Sequence, residues 1–277
     1  MSPHSANAAF AVNTYSYTLR EPAQHCVGKL AQRGFGEFEL MMYPGHLWPA
    51  QMDADARRDW RARLQGDGLT VRTVNMPNVD LNLAAATLEM RQMTLGLLRQ
   101  FIALAGDIGA QAVVLGPGKP NPLQPMPRAQ MMDHFHQALR ELLPLARDCG
   151  TTLVVENMPF AFLPLIDDVL AALDEYGDPG IGVVYDIANG HFVKEDIAAA
   201  LRRCAQRLRV VHVSDTGQTV YRHDAVGLGT VDFAAVPPVL REIGFPHRPV
   251  LEIIDQQPDV SIEQSARALA AHGWVKA

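Results

Sequence analysis

The sequence predicts an α/β fold in which eight parallel strands and their helices close into a single barrel domain over residues 1–277. Short apolar runs occur eight times, and each is followed by a longer stretch with helical periodicity. The high Val and Ile content of these runs is typical of parallel strands that are covered on both faces. The main alternative is an open doubly wound sheet, but no Gly-rich fingerprint follows the first run. These observations favour a (β/α)8 TIM barrel.

The predicted strands follow one another at the spacing that such a barrel requires. They comprise residues 10–15, 38–43, 70–75, 112–116, 152–157, 181–186, 210–214 and 250–254. A Pro-dense stretch over residues 117–127 follows the fourth strand and predicts a long loop. Loops at this position form the functional face of a barrel, so we expect the chemistry of the protein at that end.

The segments between the strands have the apolar spacing of amphipathic helices. The clearest are residues 83–108, 128–149, 233–243 and 261–272. Gly109 and Gly150 follow two of these helices and are predicted to end them, because glycine adopts the left-handed conformation without strain. Asp53 and Asp232 lie where their side chains would cap the first turn of a helix.

Composition excludes several classes of protein. The chain is 48% hydrophobic and 19% charged, so it is too apolar for a disordered protein. Its 24 Lys and Arg against 30 Asp and Glu give a formal net charge of -6, and we expect no nucleic-acid partner. No apolar run is long enough to span a bilayer, and residues 1–5 lack the pattern of a secretory signal. With only three cysteines, we predict a cytoplasmic protein without a disulfide framework.

Ionisable side chains end four consecutive predicted strands. Strands five to eight end in Glu156, Asp186, His212 and Glu252. Neighbouring strands lie about 4.8 Å apart, so four inward side chains can meet at one point. An unpaired charge within apolar strands would cost several kcal/mol, and one divalent metal ion would satisfy all four groups. Three carboxylates and one imidazole do not distinguish Mn, Co, Zn, Mg and Fe.

The order of these motifs resembles that of the xylose-isomerase-like TIM barrels, which include ketose 3-epimerases, inosose isomerases and dehydratases, hydroxypyruvate isomerases and type IV AP endonucleases. The resemblance runs from Glu39 to Glu252, and its strongest pieces are residues 155–157, 185–186, 212–215, 222–223 and 227–233. It implies that the four strand-end residues bind one metal ion. It also implies that Glu156 and Glu252 serve as catalytic acid and base.

The sequence departs from two branches of this superfamily. The endonucleases hold three zinc ions with additional histidines, but the corresponding positions here end in Asn75 and Gly116, and Asn189 lies three residues after Asp186. We therefore set DNA repair aside. Ketose 3-epimerases carry that same histidine and a glutamate six residues after the first ligand, where this chain has Asn189 and Phe162. The substrate contacts of that branch are not transferable.

Several further residues are candidates for contact with the substrate. They are Asn189, His191 as a replacement for the missing imidazole, Arg222 after strand seven, and Glu39, whose alternative role is to brace the pocket by hydrogen bonding. The Gly227-x-Gly229 turn offers backbone amides of the kind that bind phosphate. A lid is a further interpretation of Tyr43, His46 and Trp48, for which simple packing is the alternative.

These expectations combine into one leading function and two alternatives. The leading hypothesis is a metal-dependent isomerase or epimerase of a ketose or polyol ketone, which removes the proton beside the carbonyl through a metal-stabilised enediolate. The first alternative is a dehydratase of the inosose or 3-dehydroshikimate type, and the second is a non-catalytic barrel that binds a metal or sugar. The family resemblance further implies a small-molecule substrate and a homo-oligomer, either a dimer or a tetramer.

Overall fold

The computed structural model describes residues 6–274 and shows a closed barrel of eight parallel strands, which confirms the predicted fold. The strands pair in chain order, and β1 closes the barrel against β8. They are β1 (Ala11–Asn13), β2 (Glu37–Met41), β3 (Thr70–Asn75), β4 (Ala112–Leu115), β5 (Thr152–Glu156), β6 (Gly182–Asp186), β7 (Leu208–Val213) and β8 (Val250–Leu251).

Helices connect the strands and cover the outside of the barrel. They are α1 (Ala23–Gln32), α2 (Ala54–Gly66), α3 (Leu88–Ile108), α4 (Arg128–Asp148), α5 (Ile166–Tyr176), α6 (Ile187–Phe192), α7 (Ile197–Cys204), α8 (Val236–Glu242) and α9 (Pro258–Ala271). Three short 3-10 turns lie at Tyr15–Tyr17, Pro49–Gln51 and Phe233–Ala235. In the part of the chain so described, no helix is both long enough and apolar enough to cross a membrane.

Some boundaries differ from the sequence prediction. The first strand ends at Asn13, because Tyr15 already lies in a 3-10 turn, and β8 contains only two residues, so Glu252 follows the strand directly. The predicted helix over residues 233–243 divides into a 3-10 turn and α8, which carries two prolines in its first turn. Proline is tolerated at these positions because the first amides of a helix need no intrahelical partner.

The predicted helix ends are confirmed. Gly109 and Gly150 have φ angles of 78° and 70°, in the left-handed region that glycine adopts without strain. The Asp53 carboxylate accepts a hydrogen bond from the amide of Ala56, and Asp232 accepts one from Ala234 at the 3-10 turn. A side-chain cap of this kind stabilises a helix by about 1 kcal/mol.

Strand alternation divides the apolar residues into two layers. One set packs between the barrel and the helices, with Phe38, Phe101 and Phe135 among its fully buried side chains. The second set fills the inside of the barrel with small side chains: Ala11, Ala112, Val114, Val154, Val184, Val210 and Val250. Because successive side chains alternate between faces, a residue two positions after an interior valine also faces inward.

The three cysteines are free, and Cys26 and Cys204 are buried. This agrees with the expectation of no disulfide framework. The prediction about a secretory signal concerns residues 1–5, which lie outside the described residues.

Candidate metal centre

The four predicted ligands lie together at the carboxyl ends of β5 to β8. Each lies two positions after an interior valine, in the pairs Val154 and Glu156, Val184 and Asp186, Val210 and His212, and Val250 and Glu252. Asp186 and His212 are also direct register partners across β6 and β7. The apolar filling of the barrel therefore ends where these side chains begin, and strand geometry alone directs all four inward.

The ligand atoms of the four residues converge on one small volume. One ligand atom from each residue lies within 4.8 Å of the others. Nδ1 of His212 is 3.0 Å from Oε1 of Glu156, 3.1 Å from Oε2 of Glu252 and 3.7 Å from Oδ2 of Asp186. An imidazole nitrogen and three carboxylates at these distances form a donor set for one divalent cation.

Burial sets the electrostatics of this cluster. The four residues are at most 6% exposed. Burial raises the pKa of Glu156 to about 7, although the His212 imidazole opposes this shift, and burial also raises the pKa of Glu252 well above its usual range. Burial alone would lower the pKa of His212, but the carboxylates of Glu39, Glu252 and Glu156 hold it well above its ordinary value. A positive charge within the cluster is therefore stabilised by several carboxylates at once.

Two oxygen atoms of the cluster test whether a cation fits. Oδ2 of Asp186 and Oε2 of Glu252 are buried and accept no hydrogen bond. Unpartnered buried carboxylate oxygens are costly, and both lie on the side of their residues that faces Nδ1 of His212. The residues present therefore fit a divalent metal ion, with Glu156, Asp186, His212 and Glu252 as the donors.

Neighbouring residues fix the orientation of Asp186. Its second oxygen accepts a hydrogen bond of 2.7 Å from the amide of Asn189, so Asp186 caps α6. Its backbone is held by Asn157, whose side-chain oxygen accepts from the Asp186 amide at 2.8 Å and whose side-chain nitrogen donates to the Asp186 carbonyl at 3.2 Å. These contacts leave Oδ2 alone available to a cation.

Glu39 braces the cluster from the other side of His212. It is fully buried on β2, and Nε2 of His212 lies 3.0 Å and 3.2 Å from its two carboxylate oxygens. Side chains of its strand neighbours Asn13 and Thr73 donate to the same carboxylate, each at 2.5 Å. Burial disfavours its ionised form, but His212 and the hydrogen bonds from Thr73 and Asn75 outweigh burial and lower the pKa of Glu39. These contacts correspond to bracing by hydrogen bonds, which was the alternative to substrate contact for Glu39.

Sequence reasoning missed His223 and Tyr221. Nδ1 of His223 lies 3.6 Å from Oε2 of Glu252 and 2.9 Å from the hydroxyl of Ser214. Its Nε2 is 2.6 Å from the hydroxyl of Tyr221, which donates to Oδ1 of Asn189, also at 2.6 Å. A chain of hydrogen bonds thus connects His223, which lies beside Glu252, to Tyr221 and Asn189. The sequence did contain a signal for them. Tyr221 and His223 flank Arg222, and in an extended segment both side chains would point to the face opposite that of Arg222.

Two of the predicted substrate contacts lie away from the cluster. The Arg222 side chain is 63% exposed, and its nearest acidic group is the carboxylate of Asp224 at 4.0 Å. His191 is on α6, and its Nε2 lies 2.8 Å from the hydroxyl of Thr230. Asn189, in contrast, is buried and its amide nitrogen lies 3.5 Å from Oε1 of Glu156.

The Gly227-x-Gly229 turn already holds an internal anion. The Asp215 carboxylate accepts a hydrogen bond of 2.8 Å from the Gly227 amide and one of 3.1 Å from the Val231 amide. A side chain at Gly229 would collide with Asp215 and with the backbone of Thr216. The turn therefore uses its amides to bind Asp215, and the close approach of the backbone requires glycine at position 229.

The three residues considered as a lid pack into the structure. His46 is only 4% exposed and lies between the carbonyl of Glu21 and the hydroxyl of Thr14, at 2.6 and 2.9 Å. The Trp48 ring packs edge-on against Phe101. Tyr43 is close to the mouth, where its ring contacts that of Tyr15. Phe162 is buried against Phe135 and belongs to the core.

One cavity of about 370 Å³ opens above the cluster, within the range of small-molecule sites. Glu156, Glu252, Asn189, Tyr221 and His223 contribute to its wall, whereas His191 and Arg222 are not among the residues that line it. The rest of the wall comes mainly from the loops after β3, β4 and β5. Two of the four candidate ligands, Glu156 and Glu252, thus share a single cavity with the missed residues and one predicted substrate contact.

Comparison with known proteins gives relatives of both known and unknown activity. Two uncharacterised proteins of Methanocaldococcus jannaschii, MJ1311 and MJ1614, are 25% and 23% identical over 62% and 58% of this chain. The chain spans about 60% of the length of each of these curated relatives.

Solved structures share the fold over nearly the whole chain. A D-tagatose 3-epimerase-like protein superposes with a TM-score of 0.80 at 21% identity, covering 95% of this chain and 96% of the other. The IolI protein with a bound zinc atom gives 0.77 at 15% identity, with 95% and 96% covered. The 3-keto-D-glucoside 4-epimerase YcjR of E. coli gives 0.74 at 18% identity, with 95% and 99% covered.

The family assignment agrees with the resemblance noted in the motifs. A family model described as xylose isomerase-like TIM barrel matches residues 27–274, which include strands β2 to β8. The chain belongs to the xylose isomerase-like TIM barrel family.

Proposed function

We propose that this protein is a metal-dependent isomerase or epimerase that acts on a ketose or a similar polyol ketone. The observation that carries the proposal is the pair of buried glutamates, Glu156 and Glu252, which belong to a four-residue donor set and also line the cavity. Structures of similar fold include ketose 3-epimerases, a 3-keto-D-glucoside 4-epimerase and the zinc-containing IolI protein. The cavity and these similar structures together therefore favour a small uncharged polyol as the substrate.

The two glutamates are suited to move a proton. Both pKa values are raised, mainly by burial, which favours the protonated form of each group. They lie on β5 and just after β8, and Nδ1 of His212 is 3.0 and 3.1 Å from them. One carboxylate can take the proton from the carbon beside the substrate carbonyl, and the other can return a proton to the opposite face or to the adjacent carbon.

The surrounding residues hold this arrangement in place. A bound divalent cation supplies Lewis-acid polarisation of a carbonyl and a neighbouring hydroxyl, which acidifies the adjacent C–H bond. Glu39 orients His212, and the Asn157 and Asn189 contacts orient Asp186. Asn189 and Tyr221 present hydrogen-bonding groups to the cavity and can bind substrate hydroxyls.

Deuterium exchange tests the proposal directly. The metal-loaded protein is incubated in D₂O with a panel of ketoses, and NMR follows the carbon beside the carbonyl. We expect deuterium at that carbon for at least one substrate, and loss of the exchange in Glu156→Gln and Glu252→Gln. Asp178→Asn is the control, because Asp178 pairs with Arg147 on the outer surface. Exchange that persists in both glutamine variants would contradict the proposal.

The same experiment separates the alternatives. Loss of water with formation of a conjugated, ultraviolet-absorbing product would select the dehydratase. Binding without exchange or turnover across the panel would select the non-catalytic barrel. The imidazole of His212 supports isomerisation, because the dehydratases of the resembling superfamily often carry glutamine at this ligand position. Assembly as a dimer or tetramer, and substrate roles for His191 and Arg222, remain predictions.

A further inference from the structure

We propose that the substrate is an uncharged polyol ketone that carries an apolar substituent, such as the aglycone of a glycoside. This inference deepens the proposed function and rests on it. It comes from the distribution of polar and apolar groups in the cavity wall and from the contacts and exposure of the cationic side chains near the cavity.

The floor of the cavity is polar. Asn75 and Asn189 lie near the candidate ligands Glu156 and Glu252, and all four are at or next to the carboxyl ends of β3, β5, β6 and β8. His223 and Tyr221 complete this polar side through their hydrogen bonds to each other and to Asn189. A ketone and its neighbouring hydroxyls would be satisfied at this end of the cavity.

The outer wall is apolar on one contiguous side. The loop after β3 contributes Met76, Val79 and Leu81, and the loop after β5 contributes residues 158–161, which read Met-Pro-Phe-Ala. Asn78 also lines the cavity here, but its side-chain nitrogen donates a hydrogen bond of 3.3 Å to Asn75. Hydroxyl groups of a free sugar would find few hydrogen-bond partners against these side chains, and each polar group that loses water without a partner costs free energy. An apolar substituent needs no hydrogen-bond partner, so it can pack against these side chains without this cost.

Two of the apolar side chains are left open to water. Val79 is 72% exposed and Phe160 is 60% exposed, although both line the cavity. The Phe160 ring is held in place by edge contacts with Tyr221 and by Phe192, with ring centroids 5.4 and 5.9 Å away. A fixed, exposed aromatic ring beside a cavity gains free energy when an apolar group covers it.

The charges around the cavity disfavour an anionic substituent. Among the described residues that line the cavity, Lys119 is the single lysine or arginine, and its ammonium donates to the carbonyls of Asn78 and Val79. The Gly227 amide is bound to Asp215, and Arg222 extends into solvent. A phosphate or carboxylate would have to compete with the carbonyl contacts of Lys119 and would face the carboxyl groups of Glu156 and Glu252, so the lining favours a neutral substituent.

A binding comparison that needs no turnover tests this inference. Ligand-observed NMR titration of the metal-free protein compares phenyl with methyl β-D-glucopyranoside, and likewise the corresponding galactosides and mannosides. We expect at least one phenyl glycoside to bind about tenfold more tightly than its methyl partner, because the ring covers additional apolar wall. Equal affinities, or absence of phenyl glycoside binding, for all three sugars would overturn the inference.

Matched variants locate the effect. Phe160→Ala should reduce the phenyl-to-methyl affinity ratio by about threefold, which corresponds to part of one ring contact. Met93→Ala is the control, because Met93 is 62% exposed on the outer face of α3 and lies away from the cavity. An unchanged ratio in Phe160→Ala would overturn the assignment of this wall. Absence of deuterium exchange would instead contradict the proposed reaction and leave the affinity ratio unaffected.

Discussion

Nε2 of His212 lies 3.0 Å from Oε1 of Glu39, while Nδ1 of the same ring faces the three other members of the candidate metal centre. The two ring nitrogens thus contact different groups: Nε2 contacts Glu39, and Nδ1 points towards the candidate metal centre. A carboxylate that accepts from one ring nitrogen orients the ring and increases the basicity of the other. Glu39 is therefore a positioning residue for the candidate ligand His212.

Replacing Glu39 with glutamine should weaken metal binding. The amide would place an NH2 group against Asn13 and Thr73, which already donate hydrogen bonds to this site. We expect metal affinity to fall by about 10- to 100-fold, measured by calorimetric titration of the metal-free protein. The control is Glu37→Gln, because Glu37 pairs with Arg72 and Arg248 at the start of β2. Equal affinity of Glu39→Gln and wild type would contradict the positioning role.

Metal addition should raise the stability of the protein. A ligand that binds only the folded state adds about 2.7 kcal/mol at a free concentration of 100 times its Kd. We expect thermal unfolding to shift upward with Mn²⁺ or Zn²⁺ and to return after chelation. Asp186→Asn should abolish this shift, because it alters the buried oxygen that accepts no hydrogen bond. A shift of the same size in Asp186→Asn would place the binding elsewhere on the protein.

Tyr221→Phe should impair the reaction at a moderate cost in stability. The change removes the hydroxyl that connects Nε2 of His223 to Oδ1 of Asn189. Each of the two lost hydrogen bonds contributes about 1 kcal/mol of folding free energy, and we expect the deuterium exchange rate to fall by about tenfold. Urea unfolding and the exchange assay measure the two effects. Tyr176→Phe on α5, on the outside of the barrel, is the control; an exchange rate equal to wild type in Tyr221→Phe would exclude a role for this network.

Gly229→Ala should destabilise the fold, and Gly28→Ala should not. At Gly229 a β-carbon would collide with Asp215 and with backbone atoms of Thr216, which cannot move independently. We expect a loss of about 1–3 kcal/mol. A β-carbon at Gly28 meets nothing within 4 Å, and alanine favours a helix over glycine, so Gly28→Ala on α1 should stabilise by up to about 1 kcal/mol. Urea unfolding of both variants checks the opposite signs.

The buried His46 should make stability depend on pH. Burial lowers its pKa, although the Glu21 carbonyl opposes the shift. The unfolded chain takes up a proton below about pH 6.5, whereas folded His46 resists protonation. The stabilisation is therefore present above pH 6.5 and is lost as the pH falls below it, by at most about 1.4 kcal/mol per pH unit.

His46→Gln tests this dependence. The variant should be less stable than wild type at pH 8, because it loses the contacts to Glu21 and Thr14, and the difference should shrink between pH 6.5 and pH 5. Urea unfolding across this range measures it. His272→Gln is the control at an exposed position after α9. A constant difference between His46→Gln and wild type would show that the titration of His46 does not contribute.

The fold and the convergence of the four candidate ligands could be predicted because the signals for both are local. Each ligand follows an interior valine by two positions, so strand alternation fixes its direction without knowledge of the rest of the chain. The same local reasoning placed Gly109 and Asp53 correctly, since a helix end depends on the conformation and side chain of a single residue.

The loop after β7 could not be predicted in the same way. Its course depends on a bridge between Asp215 and Asp224 and on the capture of the Gly227 amide by Asp215. These contacts join residues far apart in sequence, and they turn His223 inward while Arg222 is exposed. The burial of His46 has a similar cause, because its partner Glu21 lies in another loop.

The contact between Asn157 and Asp186 has a consequence for the binding of an ion at the candidate metal centre. A side-chain amide here imitates a peptide group and continues the pairing of β5 and β6 for one more residue. The backbone that carries the Asp186 carboxylate is thereby fixed by the polypeptide itself. Little ordering entropy would be lost if an ion entered, so we expect uptake to require dehydration of the ion and release of protons, and we expect the metal-free protein to fold before any ion binds.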